Sequence, residues 1–557
     1  MSEQTSEQTS EQTSARVSER RPRRYHAAVW DEPLVHELGH PGRRGVLVPP
    51  VEPEVARAAG DPGALVPPRA RRRVPPQLPE LSEWEVLRHY LHLSQQTLGM
   101  MGVSLFGTCT MKYNPALSGT LARLPQVREV HPLQGEETIQ GLLEVVYRLD
   151  LALRELSGMD RFVFQPGGGA DAAWLNACMT RAYHAARGEL SQRDEIVTTI
   201  QAHPCNAATA AAAGFTVVTL PLEESGHASL GALRAAISER TAALVVNNPD
   251  DMGIYNPEIA EWVDAVHAVG GICFYDHANF NGVMGKIRAG DLGFDACMFM
   301  LHKTFGAPKG GGGPAVGAYG CTERLAPFLP GPLVVAEDLP ASPERGPTGP
   351  AAGDEDLPGL RSVRTRFRLV EPSGGVGRVR EFLGNFPQVL EAYAWVRAMG
   401  AEGINEASDL SVLFSNYMDA RLTRIRGVTR SNPHISAHRL EMCRYSLEPL
   451  TQETGVRAVD VQHRMTDFGI DAFWLSHEPW IVPEPFTPEA GEAWPKEDVD
   501  EWIDVLELVC AEAYESPDVV RSAPHHQVTH RVDGSGLDDP ERWATTWRAY
   551  RAKHPDR

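Results

Sequence analysis

The sequence predicts an α/β protein: a large domain on a mostly parallel sheet covered on both faces, followed by a smaller C-terminal α+β domain. Three observations carry this reading. Between Arg161 and Tyr275 short apolar runs alternate with helix-like stretches, as strands joined by crossover helices do. The strand-like runs are continuously apolar rather than alternating, which suits burial on both faces. At 557 residues the chain also exceeds what one compact core accommodates, so more than one domain is expected.

Taken in order, residues 1–80 read as a Pro/Arg-rich arm, disordered or draped over the surface. It opens on a polar repeat, Ser2-Glu3-Gln4-Thr5 and its successors, which lacks the apolar surface to offset ordering entropy. At Ser82 the pattern turns helical. Ser82 and Glu85 form a capping box, and Val86, Leu87, Tyr90 and Leu91 give an apolar stripe. Residues 81–330 form the large domain, with strands expected at Arg161–Phe164, Glu195–Ile200, Phe215–Leu220, Ala242–Val246 and Gly271–Tyr275. Helices are expected from the glycine turn at Gly167 through Arg187, over Asn206–Ala213, and over Ile259–Val269. Residues 331–373 interrupt this rhythm with Pro340, Pro343, Pro347, Pro350 and Pro358 and read as an insertion or linker. Residues 374–535 read as the smaller domain and 536–557 as a peripheral tail.

Composition narrows the function classes. A net charge of −20 argues against nucleic-acid or anionic-membrane binding. No apolar run approaches the ~18 residues that span a bilayer. The eight cysteines are scattered singly, with neither metal-ligand spacing nor a disulfide framework, which suits a reducing cytoplasm. No metal site is expected.

The chemistry gathers around Lys303. The apolar run Met298-Phe299-Met300-Leu301 leads into His302 and Lys303, and a glycine tract, Gly310–Gly313, follows. Upstream, a buried-looking strand ends in Asp276, with His277 and Asn279 behind it. A lysine able to form an imine, together with a carboxylate at a strand end, points to pyridoxal phosphate: the lysine holds the aldehyde and the aspartate keeps the pyridine nitrogen protonated. The turn Gly167-Gly168-Gly169-Ala170 between strand and helix is either an anion cradle or an ordinary tight turn. His203 follows an apolar strand, as a structural histidine or as a ring stacked on a planar cofactor. The loop Thr108–Pro115 brings hydroxyls, a thiol and a cation together, or is a plain surface turn.

Thr108–Pro115, Phe274–Asn279, His302–Phe305, Gly310–Pro314 and Val519–His530 together resemble the glycine decarboxylase P-protein family, in its split-subunit form, over about Glu80 to Asp533. The resemblance implies a fold-type-I pyridoxal phosphate enzyme with an aspartate aminotransferase-like large domain. It implies Lys303 as the cofactor-linked lysine, Asp276 as partner of the pyridine nitrogen and His203 as the stacking ring. Gly168, Gly169 and Ala170 fall near the phosphate, Asn279 and Thr304 are cofactor contacts, and Lys303, His302 and His203 are the proton carriers. Glycine or a related amino acid is the implied substrate. A homodimer or a heteromer with a related subunit is the implied assembly, and a lipoyl carrier protein the implied acceptor.

The sequence departs from the family where Ala173 replaces a glutamate, where Pro204-Cys205-Asn206-Ala207 replaces Gly-Thr-Asn-Pro, where His277 replaces a glycine and where Lys309 replaces a histidine. His277 in particular reads as a bulky titratable ring introduced beside the cofactor. Such changes leave open an enzyme repurposed for another amino acid or acceptor, and a third reading, a cofactor-free partner subunit.

Overall fold

The computed structural model describes residues 22–43, 45, 49–74, 76–98, 103–105, 115–308, 315–339, 364–380, 382–472, 475, 476, 480–531, 536 and 539–555. The Ser-Glu-Gln-Thr repeat, the Thr108–Asn114 loop and the Lys309–Pro314 tract lie outside them. The chain divides into two compact units. One takes the described residues of 105–459 and 472–515, the other those of 1–104, 460–471 and 516–557.

The larger unit is organised by seven strands: β1 (Arg161–Val163), β2 (Glu195–Thr199), β3 (Thr216–Leu220), β4 (Thr241–Asn247), β5 (Ile272–His277), β6 (Ala296–Met300) and β7 (Gly317–Cys321). Their order is β1-β7-β6-β5-β4-β2-β3, and β7 alone runs antiparallel to its neighbours. The central strands β4, β5 and β6 are buried along their whole length, as their unbroken apolar runs predict.

Helices cover both faces. On one, α1 (Gln140–Ser157), α4 (Leu230–Ala236), α5 (Ile259–Ala268) and α6 (Phe386–Leu422) pack Leu149, Leu153, Trp262 and Trp395 against Tyr275 and Phe299. On the other, α2 (Gly169–Ala186) and α3 (Pro204–Ala212) pack Leu175, Met179 and Ala210 against Phe274, Met298 and Tyr319. The strand period sends Phe274 and Tyr275 to opposite faces, and the next pair, Asp276 and His277, repeats the split.

The described residues of 331–373 are more than a linker. Leu333–Leu339 (β8) pairs antiparallel with Arg364–Val370 (β9). The hairpin is held to α1, where Gln140 accepts from Phe367 N and donates to Phe367 O, both at 2.8 Å. Further along, three two-residue strands, β10 (Thr429–Arg430), β11 (Tyr445–Ser446) and β12 (Pro485–Phe486), form a small antiparallel sheet.

In the smaller unit the helix Glu83–Gln95 carries the expected capping box: Ser82 Oγ accepts from Glu85 N at 3.3 Å, and Glu85 Oε2 accepts from Ser82 N at 2.8 Å. Its apolar stripe does not become core. Leu87, Tyr90 and Leu91 are exposed, and the buried position is His89. His89 and His92 clasp the Glu32 carboxylate at 2.6 and 2.7 Å, while Trp30 stacks on His92, so this part of the N-terminal arm is pinned to the helix.

Candidate active site

The site forms at the C-terminal edge of the parallel strands, where open α/β sheets bind ligands. Asp276, the fifth residue of β5, lies opposite Asn247 of β4 and Met298 of β6. It is almost completely buried, yet both carboxylate oxygens are held: Oδ1 accepts from Ala278 N at 2.9 Å and Oδ2 from Asn206 Nδ2 at 3.0 Å. Burial pushes its pKa up, against the opposing pull of these bonds and of the Lys303 charge.

Lys303 follows β6 in a tight turn that its own N–H closes onto Met300 O at 3.0 Å. It is buried, as are His302 and Thr304 beside it. A lysine in so dry a position suits imine chemistry better than solvation.

The two histidines present opposite edges. His203 caps α3, its Nδ1 accepting from Cys205 N at 3.1 Å, so a neutral ring carries its proton on Nε2. His302 Nδ1 lies 3.2 Å from Val316 O, an acceptor only, so there the proton sits on Nδ1 and Nε2 is the basic edge.

The glycine turn opens α2, an 18-residue helix, and the N–H groups of its first turn have no intrahelical acceptor. Asp171 Oδ2 takes the Gly167 N–H at 2.9 Å, and the N–H groups from Gly168 through Ala170 stand at the helix N-terminus, where an anion is favoured. A methyl group on Gly167 would fall on the Arg380 guanidinium, so a cation stands over this turn. The turn adjoins the His302–Thr304 segment as well: a Cβ on Gly168 would come within 3.9 Å of His302 Cε1.

Between His203 and the C-terminal part of the unit lies a cavity of about 290 Å³, lined among others by Thr199, Gln201, His203, Asp251 and Arg444. Asn279 reaches the site indirectly, donating from Nδ2 to Asp251 Oδ1 at 2.9 Å. Arg444, the residue before β11, is buried and donates from Nε to Thr487 Oγ1 at 3.2 Å. The Cys205 thiol is pushed up to about 12 by burial and by Asp276 and Asp251, with Lys303 opposing, so it stays protonated at neutral pH.

The structure thus brings Lys303, His302, Thr304, Asp276, His203 and Gly168–Ala170 to one sheet edge, with Asn279 behind Asp251. It corrects the reading of His277. That ring points to the opposite face, stacked on Tyr275 with centroids 3.8 Å apart and set among Phe280 and Phe299. Neither ring nitrogen has a hydrogen-bond partner among the described residues, and burial pushes its pKa down to about 3. A residue next to Asp276 in a strand had to face away from it. The sequence reading missed Asn206, Asp251, Arg380 and Arg444. Asn206 was legible as the polar residue on the first turn after His203; the two arginines carry no local signal.

The Aminotransferase class-V family matches residues 163–337, which hold the sheet and Lys303. The probable glycine dehydrogenase (decarboxylating) subunit 2 of Pyrococcus horikoshii is 39% identical over 530 residues, covering 95% of this chain and 98% of that protein. The chain belongs to the glycine dehydrogenase (decarboxylating) subunit 2 family. The protein of that name from Thermococcus kodakarensis is 40% identical over 529 residues, with 95% and 98% covered, and that from Shouchella clausii 37% over 507, with 90% and 95%. A crystal structure of glycine decarboxylase (P-protein) of the glycine cleavage system, in inhibitor-bound form, superposes with a TM-score of 0.67. At 20% identity it covers 83% of this chain and all of that one, and it shows a shared fold.

As a member of the glycine dehydrogenase (decarboxylating) subunit 2 family, the chain is a pyridoxal-phosphate-dependent enzyme of fold type I. Its residues fit that cofactor. A buried carboxylate, a buried lysine and a glycine turn under an arginine are groups that would suit the ring nitrogen, the aldehyde and the phosphate in turn. Among the described residues no helix is long and apolar enough to cross a membrane.

Proposed function

We propose that this chain is the cofactor-bearing subunit of a glycine decarboxylase, acting at the α-carbon of glycine or a closely related amino acid alongside a related partner subunit. The observation that carries the reading is Asp276: a carboxylate almost completely removed from water, within reach of the Lys303 charge and held open by Asn206 and Ala278. Such a group is costly unless a cation completes it, and a protonated ring nitrogen is that cation.

Pyridoxal phosphate, when bound, supplies the electron sink for the bond broken at the α-carbon. The protein does the rest. Asp276 would keep the ring nitrogen protonated, and His203 would stack on the ring. Gly168, Gly169, Ala170 and Arg380 would bind the phosphate, and Asn279 and Thr304 would hold the surrounding wall. Lys303 would hold the cofactor's aldehyde, and its amine would serve as a proton carrier at the α-carbon. His302, with Nδ1 committed to Val316 O, offers Nε2 as a base. His203, with Nδ1 accepting a backbone N–H, offers Nε2–H as a donor. A lipoyl carrier protein is the proposed acceptor of the aminomethyl group, on the strength of the family resemblance.

The test is the visible absorption spectrum of the protein with pyridoxal phosphate, before and after glycine, followed by carbon dioxide release with partner subunit and lipoyl carrier added. A cofactor band that responds to glycine, with release that needs the carrier, is the expected result. A band indifferent to glycine overturns the substrate assignment, and no band overturns the role of Lys303.

A further inference from the structure

Asp251 is a buried carboxylate in the wall of the active-site cavity for which the reaction at glycine has no use. It is 7% exposed. Asn247 Nδ2 and Asn279 Nδ2 both donate to its Oδ1, at 3.3 and 2.9 Å, while Oδ2 accepts no hydrogen bond among the described residues. It lines the same cavity as His203, Thr199 and Arg444. Its charge acts on Asp276 and on the Cys205 thiol, which feels Lys303 too, so Asp251 belongs to the immediate neighbourhood of the proposed cofactor site.

The charges in this wall do not suit a bound glycine alone. Arg444 interacts electrostatically with Asp250 and Asp251. Glycine presents one carboxylate and, apart from its amino group, no hydrogen-bond donor. Arg444 answers that carboxylate. Asp251 opposes it, because two like charges in a dry cavity repel strongly. Asp250 is no substitute, since its carboxylate is already satisfied by Met252 N, Ile254 N and Gln201 Nε2. With Oδ1 held by two asparagines and Asp251 in the cavity lining, Oδ2 calls for a hydrogen-bond donor on the ligand.

We propose that Asp251 is a specificity-determining residue: its Oδ2 accepts a hydrogen bond from a hydroxyl or ammonium group on the substrate's side chain, so the site favours small α-amino acids that carry such a donor. This rests on the pyridoxal phosphate reading of the same cavity and narrows its substrate class.

The test titrates the holoenzyme with glycine, L-alanine, L-serine and L-2,4-diaminobutyrate, following both the cofactor's visible spectrum and the shift in melting temperature. Serine and diaminobutyrate should bind about tenfold or more tightly than alanine, the size of one charge-assisted hydrogen bond. In Asp251→Ala the serine-to-alanine ratio should fall to about one. Asp251→Asn, which preserves the shape and the contact with Asn279, should keep part of the serine preference and lose that for diaminobutyrate. A wild type that ranks serine, diaminobutyrate and alanine alike, while glycine still perturbs the spectrum, overturns the proposal and leaves the glycine reading standing. Failure of all four amino acids to perturb a bound cofactor overturns both.

Discussion

Asp276 and His277 are consecutive in β5, both buried and both ionisable, and they have opposite fates. Asp276 faces the α2–α3 side, where Asn206, Ala278 N and the Lys303 charge receive it. His277 faces the α1–α6 side, among Tyr275, Phe280 and Phe299, where nothing hydrogen-bonds either nitrogen among the described residues. One face of the sheet edge holds a charge with partners around it. The other tolerates a polar ring for its shape and keeps it neutral. Burial alone therefore says little about function; the partners decide.

The largest effect expected on the chemical face is that of Lys303→Ala, which should lower turnover by on the order of a thousandfold or more while circular dichroism stays unchanged. Retained turnover would show that another group carries the cofactor. Asp276→Asn keeps the shape and removes the charge, and should cost on the order of a hundredfold in rate with cofactor still bound. If the rate holds, Asp276 is only a structural cap.

The aromatic face should answer in stability instead. Replacing the unsatisfied ring in His277→Phe should stabilise the fold by about 1–3 kcal/mol without altering the cofactor spectrum. A spectral change would place the ring's influence on the chemical face. The pH dependence follows from the same burial. The folded pKa of about 3 lies below the unfolded value of ~6.5, so the unfolded chain binds the extra proton. This group's contribution is complete above the unfolded pKa and is lost as pH falls from there toward the folded one. The wild-type melting temperature should fall more steeply between pH 7 and pH 5 than that of His277→Phe, and parallel curves would mean the ring reaches water. The smallest effect is expected from Arg380→Ala, which should weaken pyridoxal phosphate binding by roughly tenfold, read by equilibrium dialysis.

Much of this was readable from residues. The unbroken apolar runs of β4 to β6 and the glycine turn before α2 carry their structure locally, and so does the Ser82–Glu85 capping box. The β8–β9 hairpin was hidden by the prolines around it, although the alternation in Arg364–Val370 is a strand signal in its own right. The exposed stripe of Leu87, Tyr90 and Leu91 shows the converse: an amphipathic period marks a helix but not what covers it.

The sequence alone determined the α/β alternation, the placing of Lys303, Asp276 and the glycine turn at strand ends, and the family resemblance, because each is written in neighbouring residues. Only the tertiary structure decided which face His277 takes, which nitrogen each active-site histidine offers, and that Arg380 and Arg444 join the site. Strand register sets the first, the Cys205 N–H donor and the Val316 O acceptor set the second, and the third depends on packing between segments more than 100 residues apart.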